Sequence, residues 1–206
     1  MSSSPSTDLR AYRRGSGKAR WLALVVFAVG LFVAASGSAL SANVPASVQA
    51  ALIAKIACFD RNFAARAGKR ALVVIVRTSD DQESAHDAAS IQSALSQQST
   101  IGSLPHDELT VTYTSAPALA ELVRTKHAAI VYFGSGFSTQ IPAIQKAFSS
   151  VNVLTFGADP EYIPSGIVMG VDLVSGRPKL VVNLTQARKQ KVSLPASVLN
   201  LMTVHR

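Results

Sequence analysis

The chain has one cysteine, Cys58, among 206 residues. No disulfide can therefore close within a single copy. Cys58 falls in an apolar helical run, where a thiol reads as a small buried hydrophobe; a bridge between two copies is the other reading. Metal chemistry lacks its residues too. His86, His106, His127 and His205 are too scattered to give a metal-binding pair, and Cys58 is not placed to supplement them. Asp80, Asp81, Glu83 and Asp87 lack the ligand number and intervals of a calcium or magnesium site, and read instead as the acidic start of a helix, which the helix dipole favours.

Phosphate-binding and nucleophile loops are absent as well. Gly134-Ser135-Gly136 precedes a helix, but it has neither the third glycine of a dinucleotide fingerprint nor the Gly-Lys-Ser/Thr of a nucleotide loop. It is not the G-x-S-x-G elbow, and Ser135 has no evident histidine base. No catalytic residue, metal or cofactor is expected, and the chain reads as a non-enzyme; a secreted hydrolase centred on Ser135 is the rival. A long spanning run is missing: Trp21–Ala35 is fifteen residues without a charge, short of the ~20 that cross a bilayer.

What is present begins with that block. Arg10, Arg13, Arg14, Lys18 and Arg20 precede it and the small residues SGSALSA follow, the order of a secretory signal: basic, apolar, then small. The expected cut lies near residues 41–42, giving a signal segment 1–42 and a domain 43–206; an uncleaved anchor is the alternative. Arg13-Arg14 is followed by Gly15-Ser16-Gly17 rather than by the hydrophobic residues of twin-arginine export. The chain's net charge is +8, but residues 1–42 carry five of its basic residues and one acidic one, which leaves +4 for the rest. Most of the basicity thus belongs to export rather than to a nucleic-acid surface. The clusters at Arg61, Arg66, Lys69, Arg70 and at Arg188, Lys189, Lys191 read as solvated helix ends.

Beyond residue 43 apolar strands alternate with helices. Pro45–Phe63 has a helical apolar stripe through Val48, Leu52, Ile56 and Phe59. Ala71–Val76 and Ala128–Phe133 are unbroken apolar runs, so strands buried on both faces. Leu109–Tyr113 alternates, as an edge strand does, and Val151–Phe156 is a further strand. Helices are expected over Gln82–Gln98, Ala116–Lys126 and Ser138–Ser149. This alternation predicts right-handed crossovers and a three-layer α/β domain: a mostly parallel sheet with helices on both faces, then a C-terminal antiparallel β-hairpin plus helices. No internal repeat or linker divides residues 43–206.

Ligands of open parallel sheets bind beyond the carboxyl ends of the strands. Ser79, Asp80, Ser135, Gly136 and Asp159 occupy those loops and are the candidate ligand-binding residues. Helix capping and turn formation are the bland alternative, because Ser, Asp and Gly are the stock residues of such loops.

Gly166–Val204 closes the chain. Ile167, Met169, Val171 and Leu173 alternate as a half-buried strand, Gly176 supplies positive φ in the turn, and Leu180–Val182 return. Pro178 fits only a strand start or an edge. Asn183 can cap a helix, with Gln186 reaching back. Leu194, Val198, Leu201 and Met202 then mark a terminal helix behind Pro195.

Gly176, Arg177, Asn183, Leu184, Ala187, Arg188, Val192, Leu194, Leu199 and Leu201 together resemble the end of the YfiR family. Pro195 and Ala196 depart from it, as do Ala128 and Ala129, where that family would have a cysteine, and the first helix lacks the family's Trp-Pro. The resemblance covers roughly residues 46–204. It implies a small secreted bacterial protein that, in the periplasm, binds the periplasmic domain of an inner-membrane diguanylate cyclase and holds it inactive, lowering cyclic di-GMP signalling and biofilm formation. With that cysteine missing, the resemblance does not imply redox control for this chain. Homodimer formation is a further partner expectation, nucleic acid is not one, and membrane contact is expected only through the N-terminal segment. A periplasmic small-ligand binding module is the alternative function.

Overall fold

Ala71–Arg77 forms β1, and its side chains divide between two cores: Val73 and Ile75 enter one, Val74 and Val76 the other. That is what an unbroken apolar run does in a sheet covered on both sides. The computed structural model describes residues 44–206; the expected signal segment or anchor lies outside the described residues. In chain order the elements are α1 Ala46–Ala57, α2 Phe63–Ala67, β1, α3 Gln82–Ser96, β2 His106–Thr112, α4 Ala116–Lys126, β3 Ile130–Phe133, α5 Ile141–Phe148, β4 Leu154–Gly157, α6 Tyr162–Ser165, β5 Met169–Val174, β6 Arg177–Asn183, α7 Leu184–Lys189, α8 Ala196–Leu199 and β7 Thr203–His205.

The seven strands form one sheet in the order β2-β1-β3-β4-β5-β6-β7. The first five are parallel, with Val74 opposite both Leu109 and Val131, Tyr132 opposite Phe156, and Phe156 opposite Met169. β6 runs antiparallel to β5, and β7 is parallel to β6. The chain thus reverses its direction of growth across the sheet between β1 and β3, the position at which such sheets open a crevice. Residues of α1, α2 and α3 fill one face with Tyr132 and Phe156; residues of α4, α5 and α6 fill the other with Phe133. Among the described residues no helix is long and apolar enough to cross a membrane.

Four expectations are corrected. The helix expected over Pro45–Phe63 is broken after Ala57. Asp60 is the cause: its Oδ1 satisfies the N–H of Asn62 (3.1 Å) and of Ser193 (2.9 Å), and the C-terminal loop satisfies Arg61 N–H through Ser193 O. Arg66 completes the clasp, donating from Nη1 to Asp60 Oδ2 at 2.7 Å, from Nε to Asn152 at 2.9 Å and from Nη2 to Lys191 O at 3.2 Å. Cys58 lies just past the helix end and is exposed rather than buried, with Ser103 Oγ 3.8 Å from its sulfur.

The terminal helix is likewise shorter than expected. It spans only Ala196–Leu199, and the chain finishes as β7 against Val181–Asn183, so the hairpin is not the sheet's edge along its whole length. Pro178 lies on β6 beyond the reach of β7, where a missing donor leaves no ladder bond unmade. Leu201 is exposed and Met202 buried. In the hairpin both Ser175 and Gly176 have positive φ, the requirement of a two-residue turn whose twist matches the strands.

Finally, Asn183 caps α7 as expected, accepting from Gln186 N at 2.9 Å, and it also donates to Ile163 O at 2.9 Å. Gln186 does not reach back. It is fully buried, and its side-chain amide has no hydrogen-bond partner among the described residues.

Candidate functional site at the carboxyl ends of the strands

The loops after β1 and β3 are built against one another. Asp81 starts α3, its Oδ1 accepting from Glu83 N (2.9 Å) and Ser84 N (3.3 Å), the work of an N-cap. Ser84 Oγ in turn accepts from Thr78 N at 3.1 Å. Ser84 is fully buried while Ala89 is exposed, the reverse of what an apolar stripe alone would suggest. After β3 the chain turns through Gly134–Phe137. Gly136 has φ +84, and a Cβ there would sit 2.7 Å from Asp81 Oδ2, so only glycine permits the approach of the two loops. Ser135 N donates to Asp87 Oδ2 at 3.3 Å and Phe137 N to Tyr162 Oη at 2.9 Å. Phe137 is fully buried, edge-on to Tyr113 and Phe133.

The five residues expected here divide by task. Ser135 and Gly136 lie beside the Thr78–Asp81 loop, and the hydroxyls of both Ser135 and Thr78 are buried without a hydrogen-bond partner among the described residues. Ser79 and Asp80 are exposed and bonded to each other at 3.0 Å. Asp159 Oδ1 accepts from Glu161 N at 2.9 Å, capping the turn into α6. No histidine nitrogen is bonded to the Ser135 hydroxyl. His127 closes α4 with positive φ, and His106 Nε2 lies 3.1 Å from Leu95 O and 2.9 Å from Glu108. No group of three or more His, Cys, Asp or Glu that could hold a metal occurs among the described residues.

Next to these loops is a cavity of about 230 Å³, lined by Val44, Pro45, Gln49, His86, Asp87, Ser90, Tyr132 and Ala158 among others. Its wall is a buried polar chain: Tyr132 Oη donates to Gln49 Oε1 at 3.0 Å, and Gln49 Nε2 donates to Val44 O at 2.8 Å. The Tyr132 ring stacks on Phe156, centroids 6.1 Å apart. Sequence reasoning missed this set. In sequence Asp87 reads as part of an acidic helix start and Tyr132 as part of a buried strand, and Gln49 sits on the stripe side of α1, where a lone amide gives no signal.

Burial raises the Tyr132 pKa far above its ordinary 10.0, and the nearby Asp87 charge and Tyr162 push the same way. Burial also raises Tyr113 and Tyr162. A phenol whose folded pKa exceeds its unfolded one is more protonated in the folded state, so its contribution is intact below the unfolded value, about 10, and is lost as pH rises above it. Urea midpoints are therefore expected to fall above about pH 10, and Tyr132→Phe to flatten that fall. An unchanged alkaline slope in Tyr132→Phe would show that Tyr132 does not carry it.

Comparison with known proteins extends the picture. In structure the chain is similar to an ABC domain in complex with L-Trp from Streptococcus pneumonia (14% identity, TM-score 0.56, covering 78% of this chain and 60% of that one). It is also similar to a ligand-free, open substrate-binding protein with adhesive properties from Clostridium difficile (10%, 0.51, 70% and 57%) and to a conserved domain protein from Vibrio cholerae (14%, 0.50, 66% and 54%). The chain spans 54–60% of the length of these structures, and identities this low speak for the α/β fold alone. No curated protein matches the chain. A family profile described as YfiR/HmsC-like matches residues 46–203.

Proposed function

The chain belongs to the YfiR/HmsC-like family, and from that premise we propose that it is an exported periplasmic regulator that represses a membrane diguanylate cyclase. The match over residues 46–203 carries the reading, because it takes in nearly the whole described domain rather than one motif. The basic, apolar and small-residue blocks ahead of residue 43 supply the export signal, as a cleaved leader or as an anchor. Repression needs no reactive group. A protein that binds the inactive receptor form better than the active one shifts the population toward inactivity by that difference in affinity.

The test is genetic and biochemical together. Deleting the gene should raise cyclic di-GMP and biofilm in the native host, and the tagged chain should capture a membrane cyclase from cross-linked membranes. Unchanged cyclic di-GMP with no cyclase captured would overturn the proposal.

Small-ligand binding is the second reading. It is favoured by the unpartnered Thr78 and Ser135 hydroxyls at the crevice position of the sheet, and by similarity to proteins described as substrate-binding or as bound to L-Trp. On that reading Ser135 and Gly136 with Ser79, Asp80 and Asp159 border the ligand.

A further inference from the structure

We propose that the cavity walled by α1, α3 and the end of β3 binds a small primary ammonium compound, with Asp87 as the counter-ion. This goes beyond the cyclase reading and does not depend on it. The cavity's inventory of donors and acceptors carries the argument. The Tyr132 hydroxyl has a single proton, and it is spent on Gln49 Oε1, so toward any ligand the phenol oxygen is an acceptor. Gln49 Oε1 accepts that proton and one Nε2 hydrogen is spent on Val44 O, which leaves the amide one acceptor site and one donor. Asp87 is an acceptor when ionised. Its Oδ2 takes one long bond of 3.3 Å from Ser135 N, and it is in none of the ion pairs among the described residues. Ser90, three residues on along the same helix, adds a hydroxyl to the cavity.

The lining therefore offers a carboxylate, a phenol oxygen and a hydroxyl, with the exposed His86 imidazole at its rim, one Gln49 Nε2 hydrogen to spare, and no lysine or arginine. An anion meets the Asp87 charge, and a neutral solute brings that carboxylate no opposite charge. An ammonium brings three donors and the opposite charge, and charge-assisted bonds of this kind are the stronger ones. Val44, Pro45, Ala46 and Ala158 supply apolar wall for a short alkyl chain. At about 230 Å³ the space falls below the roughly 300–1,000 Å³ of pockets for drug-sized ligands, a size suited to a short alkylammonium. Tyr132 and Gln49 are held by the hydrogen-bonded chain before any ligand arrives, which limits the ordering that binding has to pay for.

The experiment is calorimetric titration of the full chain in mild detergent with n-butylammonium, against 1-butanol and butyrate as neutral and anionic isosteres. Saturable butylammonium binding is expected, with neither isostere competing. Asp87→Asn keeps an oxygen for Ser135 N but loses the charge, and should weaken butylammonium by at least about tenfold, the size of one lost charged hydrogen bond. Because Asp87 also steadies the Ser135 turn, a second variant guards against misfolding. Ser90→Lys places an ammonium in the cavity and should abolish butylammonium binding while raising the melting midpoint. Absence of binding at millimolar butylammonium, equal binding of 1-butanol, or unaltered butylammonium affinity in folded Asp87→Asn or Ser90→Lys would each overturn the proposal.

Discussion

Asp60→Ala is expected to destabilise the domain by about 3–5 kcal/mol, the effect of stripping the counter-ion from a buried cation. The side chains of Asp60 and Arg66 are 0% and 2% exposed and meet at 2.7 Å, so solvent cannot take over the role of the carboxylate. Asp60 also satisfies the N–H groups of Asn62 and Ser193, and alanine would leave both without that acceptor. The cluster joins three parts of the chain: the break after α1, the Asn152 approach to β4, and the loop from Lys191 to Ser193 that leads to α8. Urea unfolding measures the loss. Asp60→Leu with Arg66→Met should recover the part due to the unpaired charge, because removing both charges also removes the cost of desolvating them, while Asn62 and Ser193 N–H stay without that acceptor. A loss in Asp60→Ala below about 1 kcal/mol, the range of exposed pairs, would show that water reaches Arg66.

Phe137→Ala is expected to cost a similar amount, about 3–5 kcal/mol, as transfer and cavity terms combine at a buried aromatic. Its ring sits 5.5 Å from both Tyr113 and Phe133, edge-on to each, and Phe133 extends the cluster to Phe148 at 6.2 Å. Phe137 is also the residue whose N–H holds Tyr162, next to Gly136 and Ser135. Local opening should therefore appear at the Gly134–Phe137 turn first. Hydrogen exchange at Ser135 and Phe137 should accelerate more in this variant than exchange at Val74 in the sheet centre, whose opening follows global unfolding. Equal acceleration at both places would mean that Phe137 supports the whole core rather than the turn.

These two sites differ in how far the sequence announced them. The strand that precedes Phe137 was legible, because Ala128–Phe133 is apolar on both faces and only a covered central strand needs that. Phe137 itself stood in a Gly-Ser-Gly loop and showed no period. Asp60 and Arg66 were invisible as a pair. An apolar stripe runs through Val48, Leu52, Ile56 and Phe59, so periodicity continues a helix where a carboxylate, bonded to Ser193 more than a hundred positions away, ends it. The Leu201–Met202 pair misled in the same way. Leucine at helical spacing suits a helix, yet the open edge of Val181–Asn183 offered unpaired backbone groups, and the chain took them as β7.

The candidate site follows the same division. Its loops were placed from the sequence, since the carboxyl ends of parallel strands follow from the order of strands and helices. Which side chains face a common space was not. Ser79 and Asp159 turned to local hydrogen bonds, while Gln49, Asp87 and Tyr132 came together from an amphipathic helix, an acidic helix start and a buried strand.

By itself, then, the sequence determined the α/β class, the parallel core strands, the hairpin turn, the Asn183 cap and the family, all of them properties of residues near one another in the chain. The tertiary structure alone decided the end of the first helix, the seventh strand, the exposure of Cys58 and the composition of the cavity. Each of those depends on a partner distant in sequence, and periodicity and turn chemistry report only on neighbours.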